Sequence, residues 1–161
     1  DIDSANLIGN ETININQIRL NNFRLQRIKK ININFLYNCK SLNSEVKLPE
    51  SLETIGDCFM NNCAEFNSDL IIPNSVRRIG DCFMIQCKEF NSNLHLPEIL
   101  ESIGSDFMFG CYEFNNGLSF PKSLKSIGDD FLCNCTAFNN DILLEHTKIT
   151  EIPNYFLTYY F

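Results

Sequence analysis

Asparagines recur every 24 residues, at Asn43, Asn67, Asn91, Asn115 and Asn139, and the text between them repeats as well. Successive copies read LPESLETIGDCFMNNCAEFNSDLI, IPNSVRRIGDCFMIQCKEFNSNLH, LPEILESIGSDFMFGCYEFNNGLS and FPKSLKSIGDDFLCNCTAFNNDIL. A fixed period of this length makes each copy one structural unit, unable to bury its apolar face alone and stable only when stacked on its neighbours. The chain is therefore expected to be a solenoid. Function is then sought on its exposed surface rather than in a catalytic motif.

With 161 residues, 44% of them hydrophobic, one such stack is enough, and coils about 4.7–4.9 Å apart would give a short rod. No run approaches the roughly 18–20 apolar residues of a membrane span. The opening DIDSANLIGN lacks a basic flank followed by an apolar stretch, so no signal peptide is expected in this sequence. The formal charge of −7 is unevenly spread. Arg19, Arg24, Arg27, Lys29, Lys30 and Lys40 make an early stretch basic, and the copies beyond it are acidic. A basic patch can serve anionic partners, but a first coil also needs a polar outer face, and a cap is the expected reading. Overall acidity argues against a nucleic-acid partner.

Comparing the copies separates interior from surface. Val46, Leu70, Leu94, Leu118 and Ile142 form one apolar column, and Leu48, Ile72, Leu96, Phe120 and Leu144 another two residues on. That spacing is the strand period, so both should point inward from a short strand ended by Pro49, Pro73, Pro97 and Pro121. Next come Leu52, Val76, Leu100 and Leu124, then, three residues on, Ile55, Ile79, Ile103 and Ile127. This wider spacing suits an irregular extended segment better than a second strand. Gly56, Gly80, Gly104 and Gly128, with Asn32 in the first copy, predict a sharp turn of positive φ. Asp57, Asp81, Ser105 and Asp129 follow, suited to capping one short helical or 3₁₀ turn. Calcium on this column would want roughly six to eight oxygens, whereas a cap needs nothing further, so no metal and no cofactor is expected. Phe35, Phe59, Phe83, Phe107 and Phe131, and then Leu42, Phe66, Phe90, Phe114 and Phe138, should be stacked core. The asparagines just after them read as buried amides forming a ladder through the backbone of neighbouring coils.

Eight cysteines invite a disulfide or zinc reading, but Cys39, Cys63, Cys87, Cys111 and Cys135 simply keep the period. Cys58 and Cys82 form a shorter column, and Cys133 stands alone. There is no C-x-x-C pair, and His95 and His146 lie far from any cluster. A small buried side chain explains the period, and parallel stacked thiols point the wrong way to pair. Free thiols are expected.

The string L-P-x-S-L-x-x-I-G-x-x-F-x-x-x-C-x-x-F, from Leu48 to Phe66 and again from Ile72, Leu96 and Phe120, resembles the leucine-rich repeat of the BspA-like, or Treponema pallidum, type. Two departures stand out: Cys58, Cys82, Asp106 and Asp130 occupy a place where the family usually has alanine, and the commonest repeat of the family is one residue shorter. The resemblance implies a right-handed leucine-rich-repeat solenoid, β-rich with short helical or 3₁₀ turns and a parallel sheet on its concave side. It also implies a surface protein of bacteria or parasitic protists used in adhesion to host matrix proteins or other cells. Residues 1–30 are read as an N-terminal cap segment, 31–143 as the repeats and 144–161 as an irregular or truncated last repeat. In that last stretch the pattern slips by one residue, aligning Ile152 with Ile127 and Phe156 with Phe131. It stops partway through a coil, so that either the native chain continues or this end pairs with another molecule. Concentration-dependent self-association is therefore expected.

Binding should use positions that vary while their neighbours stay fixed. Lys47, Ile71, His95, Ser119 and Leu143 lie between inward strand residues, and Glu45, Asp69, Asn93, Gly117 and Asp141 lie just before them. Both rows are expected to project from the sheet, as a protein-binding face or as surface that is merely solvated. The aliphatic Ile71 and Leu143 favour contact. Elsewhere Glu53, Arg77, Glu101 and Lys125 alternate in sign and should attract when stacked, by about 0–1 kcal/mol per pair. No G-x-S-x-G, H-E-x-x-H or phosphate loop occurs, so an enzyme is not expected. The expected role is a non-enzymatic protein-binding and adhesion module, surface-exposed or secreted; the alternative is a cytoplasmic interaction scaffold. Asn10-Glu11-Thr12 and Asn134-Cys135-Thr136 are glycan acceptors only if a eukaryote secretes the chain.

Overall fold

The computed structural model describes residues 29–159. Most of the N-terminal cap segment, the basic residues before Lys29 and the Asn10 sequon lie outside these residues. Within them the chain forms seven two-residue strands: β1 (Lys30–Ile31), β2 (Thr54–Ile55), β3 (Leu70–Ile71), β4 (Arg78–Ile79), β5 (Leu94–His95), β6 (Ser102–Ile103) and β7 (Ser126–Ile127). All pairing is parallel, in a five-stranded sheet ordered β1-β2-β4-β6-β7 and a two-stranded sheet of β3 and β5. Ile55 faces Ile79, Ile79 faces Ile103 and Leu70 faces Leu94, each one repeat away. The chain therefore returns to the same place once per repeat, as a repeat solenoid must.

The balance between the two sheets reverses the sequence expectation. The segment read as irregular carries the longer sheet, and the segment read as the strand pairs only at β3 and β5 among the described residues. Two features favour the isoleucine segment. Its inward residue is β-branched in all five strands. The residue that follows also continues the ladder: the N–H groups of Gly56, Gly80, Gly104 and Gly128 donate to the carbonyls of Ile31, Ile55, Ile79 and Ile103, each at 2.9 Å.

Those glycines were expected for positive φ, and none has it. Close approach is the reason they are glycine. A Cβ on Gly56 would stand 2.6 Å from the Ile31 carbonyl oxygen, on Gly80 2.8 Å from the Asp57 nitrogen, and on Gly104 2.6 Å from the Asp81 nitrogen. The aspartates likewise act between coils rather than as helix caps. Asp57 Oδ1 accepts from the Asp81 N–H at 3.0 Å, Asp81 from Ser105 at 2.8 Å and Asp129 from Asn154 at 2.8 Å.

No helix occurs among the described residues, and the expected helical turn is replaced by a backbone of alternating hand. Cys58, Met60 and Asn62 have φ of 56°, 52° and 59°, and the residues between them are not left-handed. Cys82, Met84 and Gln86 repeat the pattern, as do Asp106, Met108 and Gly110. A left-handed residue costs roughly 1–2 kcal/mol, and coil-to-coil bonds hold it. The N–H groups of Cys58 and Asn62 donate forward, to Asp81 at 2.8 Å and Ile85 at 2.7 Å, while that of Met60 donates back to Phe35 at 2.9 Å. A helix would turn these donors on itself; alternation aims them at both neighbours.

The core lies between these walls. Rings along Phe35, Phe59, Phe83, Phe107, Phe131 and Phe156 stack with centroids 5.1–6.0 Å apart. Those along Phe66, Phe90, Phe114 and Phe138 stack at 5.7–5.8 Å. All eight cysteines are free. The periodic ones do more than fill space: the thiols of Cys63, Cys87, Cys111 and Cys135 donate to the carbonyls of Leu36, Met60, Met84 and Met108, each at 3.1 Å. Burial pushes the Cys87 thiol well above its ordinary range and that of Cys135 up to about 12. The asparagine column, read as buried, is mainly exposed. Its Oδ1 atoms accept from the next asparagine's N–H: Asn43 from Asn67 at 3.0 Å, Asn67 from Asn91 at 2.8 Å, Asn91 from Asn115 at 2.9 Å and Asn115 from Asn139 at 3.0 Å.

In the last turn Phe156 stacks on Phe131 as the one-residue slip requires, and the Leu157 N–H donates to the Phe131 carbonyl at 3.0 Å. Ile152 does not follow its counterpart inward. It is exposed, whereas Ile127 is buried in β7.

Candidate binding face

Strand alternation sets the face. In β3 Leu70 is buried, Ile71 is 63% exposed and the following Ile72 is buried again. Leu94 in β5 is buried beside exposed His95, which pairs in register with Ile71. Ser119 is exposed between buried Leu118 and Phe120, Leu143 (57% exposed) lies between half-buried Ile142 and Leu144, and Lys47 lies between half-buried Val46 and Leu48. Glu45, Asp69, Asn93, Gly117 and Asp141 are exposed as well.

The structure brings only some of these together. Asp69 Oδ1 accepts from the backbone N–H of Asn93 at 2.9 Å and from its Nδ2 at 3.1 Å. Those bonds, backbone first, hold the Asp69 carboxyl below its usual range. This acid is fixed against the next coil rather than left free to reach out. Glu45 and Lys47 pair at 3.3 Å, both largely in solvent, where such a pair contributes little. Among the described residues no strand pairing extends from β5 to Ser119 or Leu143. The ordered centre is Asp69, Ile71, Asn93 and His95.

The alternating charges line up elsewhere on the coil. Glu101 bonds Lys125 at 2.6 Å and Arg77 at 3.0 Å, and Lys29 extends the series by pairing with Glu53 at 2.7 Å. The sequence reading missed Tyr112, an exposed ring with Lys88 Nζ 5.9 Å from its centroid. Its column runs Lys40, Ala64, Lys88, Tyr112, Thr136. The rule that variable positions in a fixed frame carry function would have found it. Tyr37, Tyr155 and Tyr159 are further exposed aromatics outside the proposed rows.

Parallel coils stacked on rows of identical side chains, with no helix among the described residues, define a leucine-rich-repeat type of solenoid. The model of the BspA type leucine-rich repeat region matches residues 8–139 and 57–160, with six copies. The chain belongs to that family. No curated protein and no solved structure matches it at a significant level. No helix among the described residues is long and apolar enough to cross a membrane.

Proposed function

We propose that this chain is a non-enzymatic module that binds protein partners through the face carrying Glu45, Lys47, Asp69, Ile71, Asn93, His95, Ser119, Asp141 and Leu143, and that it serves adhesion at the cell surface or in secreted form. The family's association with protein interaction supports the class. One observation carries the site: Ile71, an aliphatic side chain left 63% exposed on a strand whose own neighbours are buried. A β-branched residue suits the strand, and left exposed it offers a partner's apolar side chain a contact. In this reading the coil is right-handed, β3 and β5 line its concave side, and the asparagine row works as a ladder that keeps the face rigid. Rigidity lowers the ordering cost of binding.

Binding of the folded chain to a panel of immobilised matrix proteins, compared with the Ile71→Asp, His95→Glu double variant, tests the site. Loss of capture by the variant supports it; equal capture moves the site elsewhere. A cytoplasmic interaction scaffold is the second reading, favoured by the eight free thiols, the state that a reducing compartment maintains. Labelling of intact cells with an impermeant reagent separates the two. Exposed Ile152, Tyr155 and Tyr159 support self-association through the C-terminal turn. Sedimentation that stays monomeric at rising concentration would remove that part.

A further inference from the structure

Three equivalent positions provide an internal comparison. The Ser92 hydroxyl donates to the Asn67 carbonyl at 2.7 Å, Asn140 Nδ2 to the Asn115 carbonyl at 2.7 Å, and Asn116 Nδ2 to the Asn91 carbonyl. The three side chains do one job, tying each coil to its neighbour, but they are followed by different residues: Asn93, Asp141 and Gly117. The Asn93 N–H is held by Asp69 Oδ1 at 2.9 Å. The Gly117 N–H has no hydrogen-bond partner among the described residues. Gly117 is also exposed, and nothing lies within 4 Å of the place its Cβ would occupy. Asn116-Gly117 is the one Asn-Gly step in the sequence.

We propose that Asn116-Gly117 is a site of spontaneous backbone modification in the folded protein. Hydroxide takes the Gly117 amide proton, and the nitrogen attacks Cγ of Asn116. A C–N bond forms, the Cγ–Nδ2 bond breaks, and the amide leaves as ammonia. Water then opens the five-membered succinimide at either carbonyl, giving aspartate or isoaspartate; the net change is amide plus water to carboxylate plus ammonium. Glycine permits the attack because no Cβ shields its nitrogen and its backbone turns freely. At Asn140 the Asp141 side chain hinders the same approach. The product also has a structural effect. An ionised carboxylate cannot donate, so the bond to the Asn91 carbonyl is lost, and a negative charge appears next to Gly117 on the exposed row.

The test is to incubate the folded full chain at mildly alkaline pH and map its peptides by mass spectrometry, with fragmentation that separates isoaspartate from aspartate. Conversion is expected at Asn116 at least about an order of magnitude faster than at Asn140, with isoaspartate the larger product and a rate that rises with hydroxide. Gly117→Ala, for which there is room and which φ permits, is expected to abolish it. Conversion at Asn116 no faster than at Asn140, or undiminished in Gly117→Ala, overturns the proposal. If that variant fails to fold, the comparison of the two sites within the unaltered chain decides alone.

Discussion

The wall built on β1, β2, β4, β6 and β7 and the face built on β3 and β5 come from the same repeat, yet they accept different sequence variation. On the wall the recurring residue types answer to the coil beneath them, while outward positions such as Thr54, Arg78 and Ser102 vary. Glycine is needed because a Cβ would strike backbone, aspartate because its oxygen holds the next N–H, and cysteine because its S–H meets a buried carbonyl. On the face one column runs Lys47, Ile71, His95, Ser119, Leu143. Stacking constrains atoms that touch the neighbouring coil, and it releases side chains that leave the stack. Invariance on the wall therefore reports packing, and variation on the face is where a partner can be chosen.

That contrast can be broken in order of effect. Phe83→Ala removes a fully buried ring stacked on both Phe59 and Phe107, and urea melts should show a loss of about 3–5 kcal/mol. Gly104→Ala adds a single methyl group, yet the same measurement should show about 1–3 kcal/mol, because the Asp81 backbone must move. Cys87→Ala should lose about 1 kcal/mol, since the Met60 carbonyl keeps only the long 3.3 Å bond from the Cys63 N–H; a neutral result would reduce the thiol to a space-filler.

Smaller effects should separate by pH. Burial, then Asp130 and Asp81, raises the Asp106 carboxyl above its ordinary value. Its charge therefore opposes folding at neutral pH, and the opposition fades as pH falls through the raised value. Asp106→Asn should stabilise at neutral pH, with the gain vanishing in acid, and asparagine suits the φ of 56° there. Glu101 is held low by Lys125 first and then Arg77, so its small contribution is present at neutral pH and lost as pH falls through its lowered value. Glu101→Gln should show the opposite pH trend in the same melts. Last, Ile71→Asp should change stability by no more than about 0.5 kcal/mol. A large loss would mean that this side chain belongs to the frame and not to the binding face.

The Phe and Cys columns could be read in the sequence because stacking repeats each contact at a fixed period, so identity marks the interior. The one-residue slip at Phe156 was legible for the same reason. The character of the glycine column was not. Glycine is needed equally where φ is positive and where backbones crowd, and one-dimensional text does not distinguish the two. The asparagines misled similarly: an amide repeated in every coil looks buried, but the bond it makes to the neighbouring N–H forms just as well at the surface.

By itself, then, the sequence determined the period, the stack and the apolar columns of the regular copies, since burial of an apolar face leaves an imprint every 24 positions. The tertiary structure alone decided which segment carries the longer sheet, where the chain alternates its hand, and which polar groups bond between coils. Those choices depend on the distance and direction from one coil to the next, and such a relation exists only once the coils lie against each other.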